Sequence, residues 1–182
     1  MAVANNYTVL NVDDNEAGRY AKSRVLQRAV YRVVEAATGA AALQLVTEVR
    51  PELILLDVKL PDIDGLDVCR AIKNNPASAA IMILQISAFQ VTAADRVRSL
   101  ESGADGYLTE PVEAEELIAT ARALLRLYER ERENRRLLAE LAASEAQFRA
   151  SFESTSVGMC QAEPVTGRIL KANRCFCQMV GF

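Results

Sequence analysis

The 182-residue chain contains no histidine. That absence excludes a Ser-His or Cys-His triad and any phosphohistidine made on this chain itself. A zinc site would have to be built from cysteine and carboxylate alone. The four cysteines (Cys69, Cys160, Cys175, Cys177) are scattered, and Cys175-x-Cys177 is not a zinc spacing. They are expected to be reduced structural thiols. No apolar run approaches the ~20 residues of a membrane span, and no charged-then-apolar leader opens the sequence, so the expectation is a cytoplasmic chain without membrane contact. A net charge of −3 argues against a nucleic-acid surface in this stretch. What remains is a globular composition, 51% hydrophobic and 25% charged, of a length that suits one domain with an appendage.

The most informative stretch is Leu53-Ile54-Leu55-Leu56-Asp57-Val58-Lys59-Leu60-Pro61-Asp62-Ile63-Asp64-Gly65. A short unbroken apolar run ends in one carboxylate, and a Pro-, Asp- and Gly-rich turn follows. Such a run reads as a strand buried on both faces of a parallel sheet. Asp57 then stands at the carboxyl end of a central strand, where open α/β sheets place their ligands. A carboxylate there must be exposed, paired or cation-bound, and Asp can act as a nucleophile that forms an aspartyl-phosphate.

The rest of the chain alternates strand and helix. Strands are predicted at 7–12, 32–36, 53–57, 80–86 and 104–109, with the second in an outer position. The helix after Asn15 carries Tyr20, Val25 and Leu26 among its apolar positions, and the next has Ala42, Leu43, Leu45 and Val46 inward. Gly65 through Lys73 form a third helix with Leu66, Val68, Cys69 and Ile72. A fourth begins at Thr92, with Val97 and Leu100 inward and Gly103 as its C-cap. Five alternations predict an α/β fold, a doubly wound five-stranded parallel sheet with right-handed crossovers. Its carboxyl edge gathers Asp13, Asp14, Asp57, Ser87 and Thr109. Taken alone, Asp13-Asp14 reads equally well as a solvated helix cap. Beside Asp57 the pair becomes a hard-oxygen cluster suited to Mg2+, which uses few carboxylates and leaves room for a phosphate oxygen.

Residues 7 to about 125 resemble the receiver domain of two-component response regulators. The resemblance rests on Asp13-Asp14, Asp57 with Leu60-Pro61 and Asp64-Gly65 behind it, Ser87-Ala88, and Gly103-Ala104-Asp105-Gly106-Tyr107-Leu108 before Pro111. It implies a flavodoxin-like fold in which Asp57 accepts a phosphoryl group from a phosphohistidine on a histidine kinase or phosphotransfer protein. By the same resemblance Mg2+ is held by Asp14, Asp57 and the main-chain carbonyl of Lys59, with Asp13 supporting the metal through water. Ser87 then rotates toward the phosphoryl group and Tyr107 turns inward behind it, followed by slow autophosphatase hydrolysis. The bland reading of Tyr107 is an edge-strand packing residue.

One departure is clear. The family has lysine directly before the proline, and this chain has Glu110 before Pro111, which is read as a cis peptide site. The expectation is that Glu110 points to solvent and that Lys59 swings in as a substitute cation. The alternative is a pseudo-receiver, a module for dimerisation or interaction that is not phosphorylated. A different class, an aspartyl-phosphate hydrolase of small phosphoesters, would need a general acid two residues after the nucleophile, and Lys59 stands there.

Between Pro111 and Gly158 there is neither glycine nor proline. One helix is therefore expected from about 112 to about 151, reaching ~50–60 Å at ~1.5 Å per residue. Leu117, Ile118, Ala121, Leu124 and Leu125 would face the sheet. Beyond them Leu124, Leu127, Leu138, Leu141 and Phe148 keep a seam with Asn134 at an a-type position, which Glu131 and Glu145 interrupt. The preferred reading is a parallel coiled-coil homodimer, and the alternative is a solvated connecting helix laced by Glu–Arg pairs. The last stretch pairs a turn at Pro164-Val165-Thr166-Gly167 with a strand at 168–172 and an Asn173-led helix ending at Gly181-Phe182. It looks like the first third of a PAS sensor domain, expected to be poorly ordered or packed on a partner. The domains expected are thus a receiver over 1–125, a helical linker over 126–147 and a PAS fragment over 148–182. By resemblance to receiver–PAS arrangements, the output beyond is a sensor histidine kinase, with a cyclic-dinucleotide output as the alternative.

Overall fold

Strand alternation accounts for the core of the protein. In the computed structural model, which describes residues 7–87, 97 and 101–181, the five strands are β1 (Thr8–Val12), β2 (Arg32–Ala36), β3 (Leu53–Asp57), β4 (Met82–Ser87) and β5 (Gly106–Thr109). They form one sheet in the order β2-β1-β3-β4-β5, every pair parallel. Successive side chains point to opposite faces, so each strand feeds two cores. Val9, Leu53, Leu55, Met82, Leu84 and Ile86 line one face. Leu10, Val12, Ile54, Leu56 and Ile83 line the other. β1 and β3, covered on both faces, are apolar along most of their length, whereas edge strand β2 is only half apolar and partly exposed.

The helices follow their buried stripes. On one face lie α1 (Glu16–Arg28) and the first turns of α4 (Ala114–Ser154), the latter through Leu117, Ala121, Leu124 and Leu125. On the other lie α2 (Gly39–Val49), through Ala42 and Val46, and α3 (Gly65–Asn74), through Val68, Cys69 and Ile72. The helix expected from Thr92 falls mostly outside the described residues, as does Leu100. Val97 is exposed rather than inward, and Gly103 has the positive φ of 93° expected of a C-cap.

α1 departs from its reading. Tyr20 is exposed, and the buried positions are Lys22, Ser23 and Leu26. The inward face of this helix is polar because it meets the polar residues of β1. The buried Asn11 amide donates to the Arg19 carbonyl at 2.8 Å and to Ser23 Oγ at 3.0 Å.

The chain divides into two compact units, Met1–Arg130 and Glu131–Phe182. In the second, β6 (Cys160–Ala162) and β7 (Ile169–Ala172) pair antiparallel and α5 (Arg174–Val180) follows. The turn between the strands closes where Gly167, at φ 69°, donates its N–H to the Glu163 carbonyl at 2.9 Å. Fully buried Asn173 is the hub of this unit. Its amide donates to the carbonyls of Phe152 (3.0 Å) and Val157 (2.8 Å), and its oxygen accepts from Met159 N and Phe176 N, both at 2.9 Å. Val165, Ile169, Leu170, Met179 and Val180 stay exposed. No helix among the described residues is long and apolar enough to cross a membrane.

Candidate functional site

β1 ends at Val12 and β3 at Asp57, and the two strands are neighbours in parallel register. Their carboxyl ends therefore deliver Asp13, Asp14 and Asp57 to one spot. One carboxylate oxygen from each lies within 4.8 Å of the others. Asp13 is 3% exposed, Asp57 half-buried and Asp14 exposed, so the cluster opens to solvent on one side.

Local hydrogen bonds hold these carboxylates. Asp13 Oδ1 accepts from Asn15 N at 2.8 Å, while Asn15 in turn caps α1 by accepting from Gly18 N at 2.9 Å. Asp57 Oδ1 accepts from Lys59 N at 3.2 Å. The β3–α3 loop is pinned at both ends. Asp62 accepts from Gly39 N (2.8 Å) and Ala40 N (2.9 Å) at the start of α2, and Asp64 caps α3 through Leu66 N at 2.8 Å. The Ala40 and Gly39 N–H groups hold the Asp62 carboxyl below its usual range. Gly65 packs so tightly under Asp57 that a Cβ there would stand 2.1 Å from the Asp57 carbonyl oxygen.

The electrostatics favour a cation. Burial raises the Asp57 pKa to about 6, opposed by the Lys59 N–H and reinforced by the Asp13 charge. Lys22 lowers it and Glu110 raises it in smaller measure. With two more carboxylates within 4.8 Å, an added cation would favour the ionised form of Asp57. Mg2+ bonds oxygen at about 2.0–2.1 Å, so oxygens of one coordination shell lie no more than about 4 Å apart. The three acids fit such an ion with little adjustment.

One expectation about charge is corrected. The Glu110 carboxylate does not simply turn to solvent, although its side chain is 43% exposed; its Oε1 accepts from Lys22 Nζ at 2.6 Å. The same ammonium lies 2.6 Å from Asp13 Oδ2, and the Lys22 side chain is only 10% exposed. Burial works to lower the pKa of Lys22, but its bonds to Asp13 and Glu110 outweigh that and hold it above the ordinary value. Lys59, the expected substitute, contributes its N–H, and its exposed side chain forms no ion pair among the described residues. Sequence reading missed Lys22 because a cation on the inward face of a helix breaks the apolar periodicity used to find that face. The available signal was the surplus of acids: Asp13, Asp14, Asp57 and Glu110 require a buried partner from somewhere.

Ser87 ends β4, next to β3, and is half-buried; its register partner is Thr109 of β5, and its carbonyl accepts from Glu110 N at 2.8 Å. Ala88 lies outside the described residues. Tyr107 sits on β5 opposite Gln85, its hydroxyl buried and without a hydrogen-bond partner among the described residues. The Glu110–Pro111 peptide is cis. All four cysteines are free thiols, and burial raises the pKa of Cys69.

Comparison with known proteins agrees with this fold. The response regulator receiver domain family matches residues 9–122, and a PAS domain family matches residues 146–182. The chain is 37% identical over 122 residues to the DNA-binding dual master transcriptional regulator RpaA of Synechocystis, covering 67% of this chain and 50% of that protein. It is 42% identical over 124 residues to the transcriptional regulatory protein AfsQ1 of Streptomyces coelicolor, covering 68% and 53%. The chain thus spans about half the length of these curated relatives. Among solved structures it is similar to the receiver domain of a signal transduction histidine kinase from Syntrophus aciditrophicus, with 29% identity and a TM-score of 0.62 over 66% of this chain and 90% of that one. A CheY-like receiver domain protein from Methanospirillum hungatei superimposes with a TM-score of 0.65 at 26% identity, covering 69% and 98%.

Proposed function

Because the chain belongs, over residues 9–122, to the response regulator receiver domains, we propose that it is a phosphoacceptor module of two-component signalling with Asp57 as the acceptor. The observation that carries this reading is the convergence of Asp13, Asp14 and Asp57 within 4.8 Å at the carboxyl ends of β1 and β3. An Asp57 oxygen attacks phosphorus in line, an O–P bond forms, and the N–P bond of the donor phosphohistidine breaks. The imidazole of a histidine kinase or phosphotransfer protein leaves with the electron pair. Asp14, Asp57 and the Lys59 carbonyl would hold Mg2+, with Asp13 acting through water; the ion supplies charge neutralisation at the phosphoryl oxygens. Gly65 lets the loop pass under Asp57, the Lys59 N–H orients the attacking carboxylate, and the Ser87 hydroxyl donates to a phosphoryl oxygen. Tyr107, whose buried hydroxyl has no partner among the described residues, is the packing element that responds.

The domains we assign are a receiver over 1–125, a helical linker over 126–147 and the beginning of a PAS domain over 148–182. The linker would pair two chains through the seam of Leu127, Leu138, Leu141 and Phe148, all exposed on α4. The output would be a cytoplasmic histidine kinase, an assignment supported by the PAS match that follows the receiver. A second reading has one observation in its favour: Glu110 occupies the position of the family's lysine, which suits a pseudo-receiver that pairs chains without being phosphorylated.

Intact-mass spectrometry after incubation with acetyl phosphate and Mg2+ separates the two. The phosphoacceptor reading expects one phosphoryl adduct that Asp57→Asn abolishes. No adduct with acetyl phosphate, phosphoramidate or a phosphorylated donor, at unchanged oligomeric mass, overturns it in favour of the pseudo-receiver.

A further inference from the structure

A phosphoryl group on Asp57 brings up to two negative charges to a place already crowded with carboxylates. Asp13 and Asp14 each lie within 4.8 Å of Asp57, oxygen to oxygen, and Glu110 adds a fourth acid nearby. A divalent ion neutralises part of this, and a further cation must come from the chain. The exposed ammonium of Lys59 makes no ion pair among the described residues. Lys22 is different. It projects from α1 into the site, is buried, and is anchored at 2.6 Å on both Asp13 Oδ2 and Glu110 Oε1.

Burying an ammonium is unfavourable unless its partners compensate, and the two carboxylates do so. An ammonium has three N–H donors. Two are spent on Asp13 and Glu110, and no third bond forms among the described residues. Asp13 is itself a neighbour of Asp57, so rotation about the flexible four-carbon stem carries the ammonium away from Glu110, past Asp13, toward a group on Asp57. We infer that Lys22 is the cation that binds the phosphoryl oxygens on Asp57, and that it gives up Glu110 in doing so. The inference rests on the phosphoacceptor reading above. Its consequence is a route out of the site. Glu110 stands between β5 and α4, with its N–H on the Ser87 carbonyl, so a carboxylate that loses its partner reports phosphorylation to the segment entering the long helix.

The alternative is that Lys22 only neutralises Asp13 and holds α1 in place. Four proteins separate the two: wild type, Lys22→Met, Glu110→Gln, and Lys22→Met combined with Glu110→Lys. Three quantities are measured on each: the rate of adduct formation with acetyl phosphate, beryllofluoride affinity by 19F NMR, and Mg2+ affinity without phosphodonor by calorimetry. Loss of one charge-assisted bond predicts that Lys22→Met slows adduct formation and weakens beryllofluoride about tenfold or more. Its Mg2+ affinity should be unchanged or tighter, because Asp13 is released. Glu110→Gln leaves Lys22 in place without its competitor and should strengthen beryllofluoride binding several-fold on the same grounds. The double variant should recover most of the loss.

Beryllofluoride affinity and adduct rate within twofold of wild type in both Lys22→Met and Glu110→Gln overturn the inference. Parallel loss of Mg2+ and beryllofluoride binding in Lys22→Met, without recovery in the double variant, also overturns it in favour of the structural role. Should Lys22→Met fail to fold, Glu110→Gln decides alone, since its partly exposed side chain can be neutralised without disturbing the core. A wild type that takes neither adduct nor beryllofluoride removes the phosphoacceptor reading itself. That result is distinct from a wild type that takes both and a Lys22→Met protein that matches it.

Discussion

The Tyr7 hydroxyl donates a hydrogen bond to Glu129 Oε1 at 2.5 Å, across 122 residues of sequence. It joins the residue before β1 to a point on α4 four residues beyond Leu125, the last buried position of that helix. Burial first, and then the bond to Glu129, raise the pKa of the Tyr7 phenol.

Replacing Tyr7 with Phe removes this bond and should lower the stability of the receiver unit by about 1–2 kcal/mol, the low end of the range for a bond to a charged group because Glu129 is exposed. The pH dependence follows from the raised pKa. Above pH ~10 the unfolded phenol ionises while the folded one keeps its proton. Wild-type stability should therefore fall as pH rises past 10, and Tyr7→Phe should lack that part of the fall. Urea denaturation at pH 8 and pH 10.5 checks both.

Asp57 carries the opposite lesson, a charge disfavoured by its site. With a folded pKa raised to about 6 against an ordinary 3.8, folded Asp57 keeps a proton between those values that the unfolded chain has lost. Its contribution to stability declines as pH rises through that window and stays unfavourable above it. Without Mg2+, Asp57→Asn should be more stable than wild type at pH 7.5 by about 1–2 kcal/mol after allowance for its partial exposure, and nearly equal at pH 4. Adding Mg2+ should stabilise wild type far more than the variant. Denaturation in EDTA and in Mg2+ at the two pH values gives the answer.

Gly65→Ala places a methyl group where the Asp57 carbonyl already stands, 2.1 Å away. The loop has to move, and it carries the Lys59 N–H and Asp64 with it. A loss of about 2–4 kcal/mol is expected from so close an approach, together with weaker Mg2+ binding. Calorimetry with Mg2+ alone would register the second effect, and unchanged affinity would mean that the loop yields without disturbing Asp57.

Leu138 and Leu141 are 65% and 62% exposed on α4. In a paired helix they would be covered, and charge at both would be strongly unfavourable. The double change Leu138→Glu and Leu141→Glu should convert a dimer to monomers while leaving adduct formation at Asp57 intact. Sedimentation equilibrium checks the mass, and a wild type already monomeric at 100 μM would refute the pairing.

The parts of this protein decided by its sequence are those governed by local pattern. The runs in β1, β3 and β4 are largely apolar because a parallel strand covered on both faces has no polar side, and the alternation of strand and helix carries the parallel arrangement with it; the order β2-β1-β3-β4-β5 came from the tertiary structure. Asp13, Asp14 and Asp57 were legible as a cluster because each ends a strand, and parallel strands bring their ends to one edge. Tyr20 misled because amphipathic reading assumes an apolar inner face, and α1 instead turns Lys22 and Ser23 inward to meet Asn11 and Asp13.

Tertiary structure alone decided how the charges are matched. Lys22 and Glu110 are 88 residues apart, and Tyr7 and Glu129 are 122 apart. No periodicity or spacing links such pairs. They meet because the fold stacks α1, the end of β5 and α4 on one side of the sheet. Burial then makes each unpartnered charge too unfavourable to leave alone. The acids of the site were written in the order of the residues; the cation that answers them came from the packing.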